Sequence, residues 1–366
     1  MKKILAIAPY SYLPYFSGGQ KFIAKFFEHL SGKVDLTVIS VAENNTTLAS
    51  YRIIPLLKKP FSRYYDRSLV GKITDLIQKE KYDTIIWEHP YFSWLAKKIK
   101  KRTGIRTIIH THNIEYQRFR SLGKWWWPIL RTYERKCLQR ADAVFFITPE
   151  DRDFAVTKWK LPLDKTLVVP FGIDANAYPA DKAESKSIIC SKHTIPPGEK
   201  IFLFNGLLNY KPNLDAVKII INEINPRLLQ KGLRYKIIIC GKDMPADMNE
   251  LKEYADKNII YAGFVDDIET YFKGADIFLN PVQKGGGVKT KVVEAIAYGD
   301  TVISTESGAI GILKENCGDK LITVKDDDWD EFTNRIIQHA NEQPITPKEY
   351  YDHYNWKMII ERVASF

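Results

Sequence analysis

The sequence has little cysteine. Cys137, Cys190, Cys240 and Cys317 are scattered through 366 residues, and no two form a CxxC pair. This spacing argues against a disulfide framework or a structural zinc site and suits a reducing cytoplasm. No apolar run approaches the ~18 residues that cross a bilayer. The apolar start is cut off at Pro9 and Tyr10, and no small-residue cleavage site follows. A buried first strand is therefore expected there rather than a signal peptide. No GxGxxG run with an acidic partner downstream appears, which disfavours a nicotinamide-dependent enzyme. With 20 glycines and 18 prolines, the chain is neither collagen-like nor of low complexity.

Charge is abundant and unevenly placed. The chain carries 54 Lys and Arg against 44 Asp and Glu, a net of +10. Residues 1–172 hold 30 basic against 15 acidic residues, a net of +15, which leaves −5 for the rest. Such a split implies two units, the basic one facing something acidic: nucleic acid, a phosphate-bearing ligand or an anionic membrane. The basic residues are dispersed over helices and accompany no nucleic-acid-binding motif, so no nucleic-acid partner is expected.

Along the chain, short apolar strands alternate with helical segments. Residues 3–8, 34–41, 84–87, 107–110 and 143–147 read as strands, and 20–30 has helical spacing. Pro170-Phe171-Gly172-Ile173-Asp174 ends this series, and a polar stretch to Pro196-Pro197-Gly198 marks a boundary. A second series has strands at 201–205, 235–240, 259–262, 277–280, 301–304 and 321–324, and 350–365 reads as one terminal helix. Alternating β and α elements predict two α/β units built on parallel sheets, with ligand-binding loops at the carboxyl ends of the strands.

Three loops carry candidate chemistry. The run Gly285-Gly286-Gly287-Val288-Lys289-Thr290-Lys291-Val292-Val293-Glu294 follows a strand and opens a helix. Glycines admit close backbone approach, the helix start favours an anion, and Lys289 and Lys291 add charge suited to a pyrophosphate. Glu294 lies one to two turns inside, where a carboxylate can accept from paired ribose hydroxyls. Ser17-Gly18-Gly19-Gln20, after the first strand, is a second possible phosphate loop. The third is His110-Thr111-His112-Asn113-Ile114-Glu115 at a strand end. Its two histidines are expected to diverge, His110 packing in the sheet and His112 reaching the ligand side, and so not to form a metal pair.

These loops, with Pro170-Phe171-Gly172-Ile173-Asp174, Gly206, Pro212-Asn213, Gly263-Phe264-Val265-Asp266-Asp267 and the Glu294-to-Gly299 run, resemble GT-B-fold glycosyltransferases of glycosyltransferase family 4. The resemblance extends over nearly the whole chain. It implies an α/β fold of two Rossmann-like domains facing a central cleft: an acceptor domain at 1–172, a nucleotide-sugar domain at 173–345, and a C-terminal helix, 346–366, crossing back to the first domain. It implies a retaining transferase moving a sugar from a nucleoside-diphosphate sugar to a glycan or lipid-linked acceptor in polysaccharide or glycoconjugate biosynthesis. No cofactor and no metal are implied: no Asp-x-Asp occurs where a donor diphosphate would be held through a cation, and Asp151-Arg152-Asp153 falls at an expected helix start. His112 matches the family's catalytic histidine. Donor binding falls to Gly18, Gly19, Gly206, Lys211, Gly241, Phe264, Val265, Gly286, Gly287, Val288, Lys289, Thr290, Lys291 and Glu294. One departure stands out: the family often carries another glutamate eight residues before the ribose-binding one, and here that position is Gly286. A relative that binds nucleotide sugar without turnover is the alternative this substitution raises.

Residues 115–140 combine Trp125-Trp126-Trp127, Ile129 and Leu130 with Arg118, Arg120, Lys124, Arg131, Arg135 and Lys136. That mixture suits the headgroup level of an anionic membrane and predicts peripheral attachment to the inner face of the cytoplasmic membrane.

Overall fold

Short apolar runs bounded by polar turns fold here as parallel strands, each followed by a return segment that covers one sheet face. The computed structural model describes residues 2–58 and 61–366. Met1, Lys59 and Pro60, within the expected first domain, lie outside the described residues. Packing divides the chain into one unit ending at Gly172 and completed by Trp356–Phe366, and a second unit, Ile173–Asn355.

The first unit has seven strands: β1 (Lys3–Ile7), β2 (Asp35–Val41), β3 (Arg52–Leu57), β4 (Thr84–Glu88), β5 (Arg106–Thr111), β6 (Ala143–Phe146) and β7 (Thr166–Val168). They lie in the order β3-β2-β1-β4-β5-β6-β7, all parallel. Two of these, β3 and β7, have no counterpart in the sequence reading. Both are edge strands; β3 contains Pro55, which an edge tolerates, and β7 has only three residues. The second unit holds β8 (Lys200–Asn205), β9 (Tyr235–Cys240), β10 (Ile259–Gly263), β11 (Ile277–Asn280), β12 (Thr301–Thr305) and β13 (Leu321–Val324), in the order β10-β9-β8-β11-β12-β13. In both sheets the order reverses beside the first strand. The loops after β1 and β4, and after β8 and β11, therefore lie at switch points where such folds take ligands.

The central strands are apolar on both faces. Leu5, Ala6, Ile7, Ile85 and Val144 in the first sheet, and Phe202, Leu203, Phe204, Ile237 and Ile277 in the second, are fully buried. Buried on both faces, these strands read as continuous apolar runs rather than alternating ones.

The expected single helix at 350–365 is two helices, Lys348–Tyr354 and Trp356–Ser365, separated by the extended Asn355. The expected third segment, 346–366, is correspondingly divided. The shorter helix stays with the second unit, where Asn355 pairs in parallel with Ile173 and its amide donates to the Ala175 carbonyl. Only the last helix belongs to the first unit, where it packs on the helix Gly18–Ser31. The Trp356 ring stacks on His29 at 5.6 Å. It also lies where a Cβ on Gly172 would meet it at 2.3 Å, so this contact requires glycine at 172.

Candidate active site

Strands β4 and β5 pair so that Glu88 lies opposite His110. Side chains two apart on a strand share a face, so His110 and His112 both turn toward Glu88. The expectation that the two histidines diverge is overturned. His110 Nδ1 lies 3.0 Å from Glu88 Oε1, and His112 Nε2 lies 2.7 Å from Glu88 Oε2. All three side chains are buried. Burial alone would raise the Glu88 pKa, but the two imidazoles outweigh it and hold the carboxyl at about 2. An ionised carboxylate only accepts, so His110 donates through Nδ1–H and His112 through Nε2–H. Burial keeps the His112 imidazole below its ordinary pKa, against the pull of Glu88. Neutral and with Nε2–H engaged, it presents Nδ1 as a lone-pair acceptor. The ligand-type atoms of Glu88, His110 and His112 lie within 4.8 Å of one another, but at hydrogen-bond separations. The set could close on a cation only by giving up both bonds.

A second carboxylate stands beside this bridge. Glu115 opens the helix Glu115–Ser121, and Arg118 donates from Nε and from one terminal nitrogen to its Oε2, at 3.0 and 2.8 Å. Its other oxygen, Oε1, lies 3.3 Å from His89 Nδ1. Burial would raise the Glu115 pKa, but His89 and Arg118 bring it to about 2. His89 follows β4 with φ +66° and ψ +157°, a region that side chains rarely adopt. Its ring stacks on Tyr91 and lies 4.1 Å, centroid to centroid, from that of His112. Sequence reasoning missed Glu88, His89 and Tyr10. The available signal was Glu88-His89 at a strand end beside the strand carrying His110 and His112.

In the second unit, β8 and β11 deliver the glycine-rich loop and its lysines. The helix Thr290–Ala297 starts directly after Lys289. Lys289 Nζ donates to the carbonyls of Gly285 and Gly287 at 2.8 and 3.0 Å. Lys291 Nζ donates to the Asn205 carbonyl at 2.9 Å and to Asn213 Oδ1 at 3.0 Å, and lies 4.0 Å over the Phe204 ring. Both ammonium groups are thus held by neutral oxygens. Desolvation lowers the Lys289 pKa to about 8, and desolvation together with Lys289 puts Lys291 well below its ordinary value. An arriving anion would meet these two amines at a helix start and favour their protonated forms. Gly286 and Gly287 lie in this loop, and Val288 and Thr290 flank Lys289; Glu294 is in the second turn, half-buried.

The other candidate residues sort differently. Gly18 and Gly19 form the first turn of their helix, capped by Ser17 and Gln20 in a reciprocal capping box, and a Cβ on Gly19 would meet nothing within 4 Å. Gly206 and Gly241 hold backbone together: a Cβ on Gly241 would lie 2.0 Å from the Gly206 carbonyl oxygen, and one on Gly206 would meet Asn213 at 2.7 Å. Lys211 is exposed and pairs with Asp215 one turn on in its own helix, at 3.2 Å. Phe264 is exposed and Val265 half-buried just after β10. The three consecutive tryptophans separate: Trp125 is 82% exposed, while Trp127 packs against the core beside Tyr116.

Two parallel-sheet α/β units, each with loops at a switch point, match the fold of GT-B glycosyltransferases. Residues 16–177 match Glycosyltransferase Family 4, and residues 199–342 match the group described as Glycosyl transferases group 1. The chain is a glycosyltransferase similar to family 4. An uncharacterized glycosyltransferase of Methanocaldococcus jannaschii is 20% identical over 99% of this chain and 97% of its own. A protein of the Klebsiella pneumoniae cps region is 28% identical over 144 residues, 38% of this chain and about a third (36%) of its own length. A Rickettsia africae glycosyltransferase structure superimposes with a TM-score of 0.75, at 16% identity over 100% of this chain and 97% of that one. Anabaena HepE, solved with UDP and glucose, superimposes with a TM-score of 0.70, at 15% identity over 100% and 99%.

Proposed function

We propose that the chain transfers a sugar from a nucleoside-diphosphate sugar to a glycan or lipid-linked acceptor, with retention at the anomeric carbon, in the building of a polysaccharide or glycoconjugate. The observation that supports this most is the glycine-rich loop with Lys289 and Lys291, two desolvated cations held only by neutral oxygens at a helix start. A leaving diphosphate carries charge that these groups stabilise without a metal. Glu294 accepts from the ribose hydroxyls. His112 Nδ1 accepts from a sugar hydroxyl, with Glu88 fixing its tautomer. HepE, similar in fold, is solved with UDP-glucose, so UDP-glucose is the first donor to try.

Attachment to an anionic membrane is part of the proposal. Leu122, Trp125 and Ile129 are exposed among Arg120, Lys124 and Arg131. Among the described residues, no helix is long and apolar enough to cross a membrane. A Trp125→Ser/Ile129→Ser variant should lose binding to vesicles containing anionic lipid while keeping its fold; unchanged binding removes the membrane from the proposal.

The decisive experiment is a thermal-shift screen of nucleotide sugars, followed by nucleotide release and NMR of the product's anomeric configuration. Stabilisation with release and retention supports the proposal. Stabilisation with no release under any acceptor points to the non-catalytic relative that Gly286 suggests. No stabilisation by any nucleotide sugar refutes both.

A further inference from the structure

Tyr210 stands against the glycine-rich loop. It closes the loop after β8 and immediately precedes the helix Lys211–Ile219. Its backbone is fixed on both sides. The N–H donates to the Leu207 carbonyl at 3.3 Å, and its own carbonyl accepts from the amides of Asn213 and Leu214 at 2.9 and 3.1 Å. Asn213 ties this turn to the other loop: Nδ2 donates to the Leu207 carbonyl at 3.0 Å, and Oδ1 accepts from Lys291 at 3.0 Å. From there the ring reaches Gly285. A Cβ on Gly285 would meet the Tyr210 hydroxyl oxygen at 2.8 Å and the Pro212 ring at 3.2 Å, and φ there is +93°. Conformation and the neighbouring phenol both require glycine at 285.

Gly285, Gly286 and Gly287 bring no side chain to whatever lies over them. Among the described residues, Tyr210 and Pro212 supply the side chains nearest to Gly285, and only the tyrosine carries a polar group. Other tyrosines of this unit are engaged: Tyr235 donates to Asn225, and Tyr261, Tyr350 and Tyr351 donate to backbone carbonyls. The Tyr210 hydroxyl has no hydrogen-bond partner among the described residues, and the residue is 49% exposed. A phenol both donates and accepts, so this one is open to a polar ligand.

In a nucleoside-diphosphate sugar, the ribose and the transferred sugar lie at opposite ends of the diphosphate. On the transferase reading, Glu294 takes the ribose one turn, about 6 Å, inside the helix from Thr290. Lys289 and Lys291 take the diphosphate at the helix start. Gly285 lies beyond Lys289 along the chain, and its carbonyl accepts from the Lys289 ammonium at 2.8 Å. The order Glu294, Lys289, Gly285 follows the order ribose, diphosphate, sugar, and Tyr210 falls at the sugar end.

We propose that the Tyr210 hydroxyl hydrogen-bonds a hydroxyl of the donor's sugar and so selects among nucleotide sugars. This rests on the transferase reading. A sugar that lacks or misplaces that hydroxyl leaves the phenol unpaired and binds more weakly. The contact is to a part of the donor where no bond forms or breaks, so Tyr210 determines specificity and moves no proton.

The test uses the full chain. A thermal-shift panel of UDP-glucose, UDP-galactose, UDP-N-acetylglucosamine, GDP-mannose and dTDP-rhamnose selects the nucleotide sugar that most stabilises wild type. Calorimetry then compares that nucleotide sugar with its free nucleoside diphosphate. Tyr210→Phe keeps the ring against Gly285 and Pro212 and removes only the hydroxyl, so its melting temperature should match wild type. The variant should bind the nucleotide sugar about fivefold more weakly, and the free diphosphate within twofold of wild type. Among deoxy forms of that sugar, one should bind wild type and variant equally, because it lacks the hydroxyl that Tyr210 meets. Equal weakening of nucleotide sugar and free diphosphate puts the phenol on the phosphates and overturns the proposal. So does unchanged affinity for the nucleotide sugar, or a loss that persists with every deoxy form. In these cases nucleotide binding by wild type leaves the transferase reading standing. If wild type binds no member of the panel and no free diphosphate, that reading fails and the Tyr210 assignment falls with it.

Discussion

Replacing Lys289 by methionine should make the protein more stable and a poorer binder of nucleotide. The ordinary lysine pKa is 10.5, and in the folded protein that of Lys289 falls to about 8 because its ammonium is desolvated. A depressed lysine binds its proton more weakly folded than unfolded, so folding loses stability as pH falls from about 10.5 to about 8. Below that the loss is constant, at roughly 1.4 kcal/mol per pKa unit, or about 3 kcal/mol at pH 7. Methionine keeps the stem's packing and removes the charge, but gives up two hydrogen bonds to the Gly285 and Gly287 carbonyls. Those bonds are worth about 1 kcal/mol each, and the partly exposed loop carbonyls recover some of that from water. A net gain of about 1–2 kcal/mol remains. For a unit the size of Ile173–Asn355 this raises the melting temperature by about 2–8 °C. The same change removes a charge-assisted contact to diphosphate, weakening UDP about tenfold to a hundredfold. Thermal unfolding of wild type and Lys289→Met, with and without UDP, from pH 7 to pH 10.5, reads both effects. The stability difference should shrink as pH rises through 8, cross zero, and above about 10.5 leave the variant about 1–2 kcal/mol less stable, because wild type then keeps its two hydrogen bonds without the charge penalty. A variant that melts at or below wild type at pH 7 and binds UDP equally well would refute the reasoning.

Glu294→Ala should weaken UDP by about tenfold to a hundredfold through loss of the ribose acceptor; unchanged affinity in calorimetry would reassign Glu294 to packing. His112→Ala should lower turnover about 100-fold and also lower stability, because it leaves Glu88 Oε2 buried without its donor. His110→Ala should lower stability and spare more of the turnover, and the reverse pattern would exchange their roles. Glu88→Gln places an amide N–H against one imidazole and forces that ring to change tautomer. Its ¹⁵N-histidine spectrum should show one ring switched, and an unaltered spectrum would contradict the bridge. Chelation by EDTA should leave UDP release nearly intact; full loss restored by manganese would overturn charge neutralisation by Lys289 and Lys291.

The loops were legible to different degrees. Gly285–Lys291 could be found because its chemistry is local: glycines, two lysines and a helix start follow one another in the chain. The first unit's site is assembled across strands. Glu88 and His110 are 22 residues apart, and only the parallel register of β4 on β5 sets them side by side. Tyr10 and His89 are 79 apart and meet through the pairing of β1 with β4. Edge strands β3 and β7 escaped notice because Pro55 and a three-residue length erase the apolar pattern. The break at Asn355 escaped because aromatic and apolar residues continue on both sides of it, Tyr350, Tyr351 and Tyr354 before and Trp356, Ile359 and Ile360 after.

What the amino-acid order determined alone is whatever a short window of backbone can express: apolar runs that must be buried, glycines that free a loop, a cation beside a helix start, and a surplus of positive charge in the first 172 residues. The tertiary structure decided the protonation chemistry. Which nitrogen of His112 is free, which oxygen of Glu115 faces His89, and how far desolvation lowers Lys289 all depend on partners brought in from distant strands. In a buried site the dielectric is low and every charge is set by its neighbours, so a residue's identity fixes its titratable group while its surroundings fix the state.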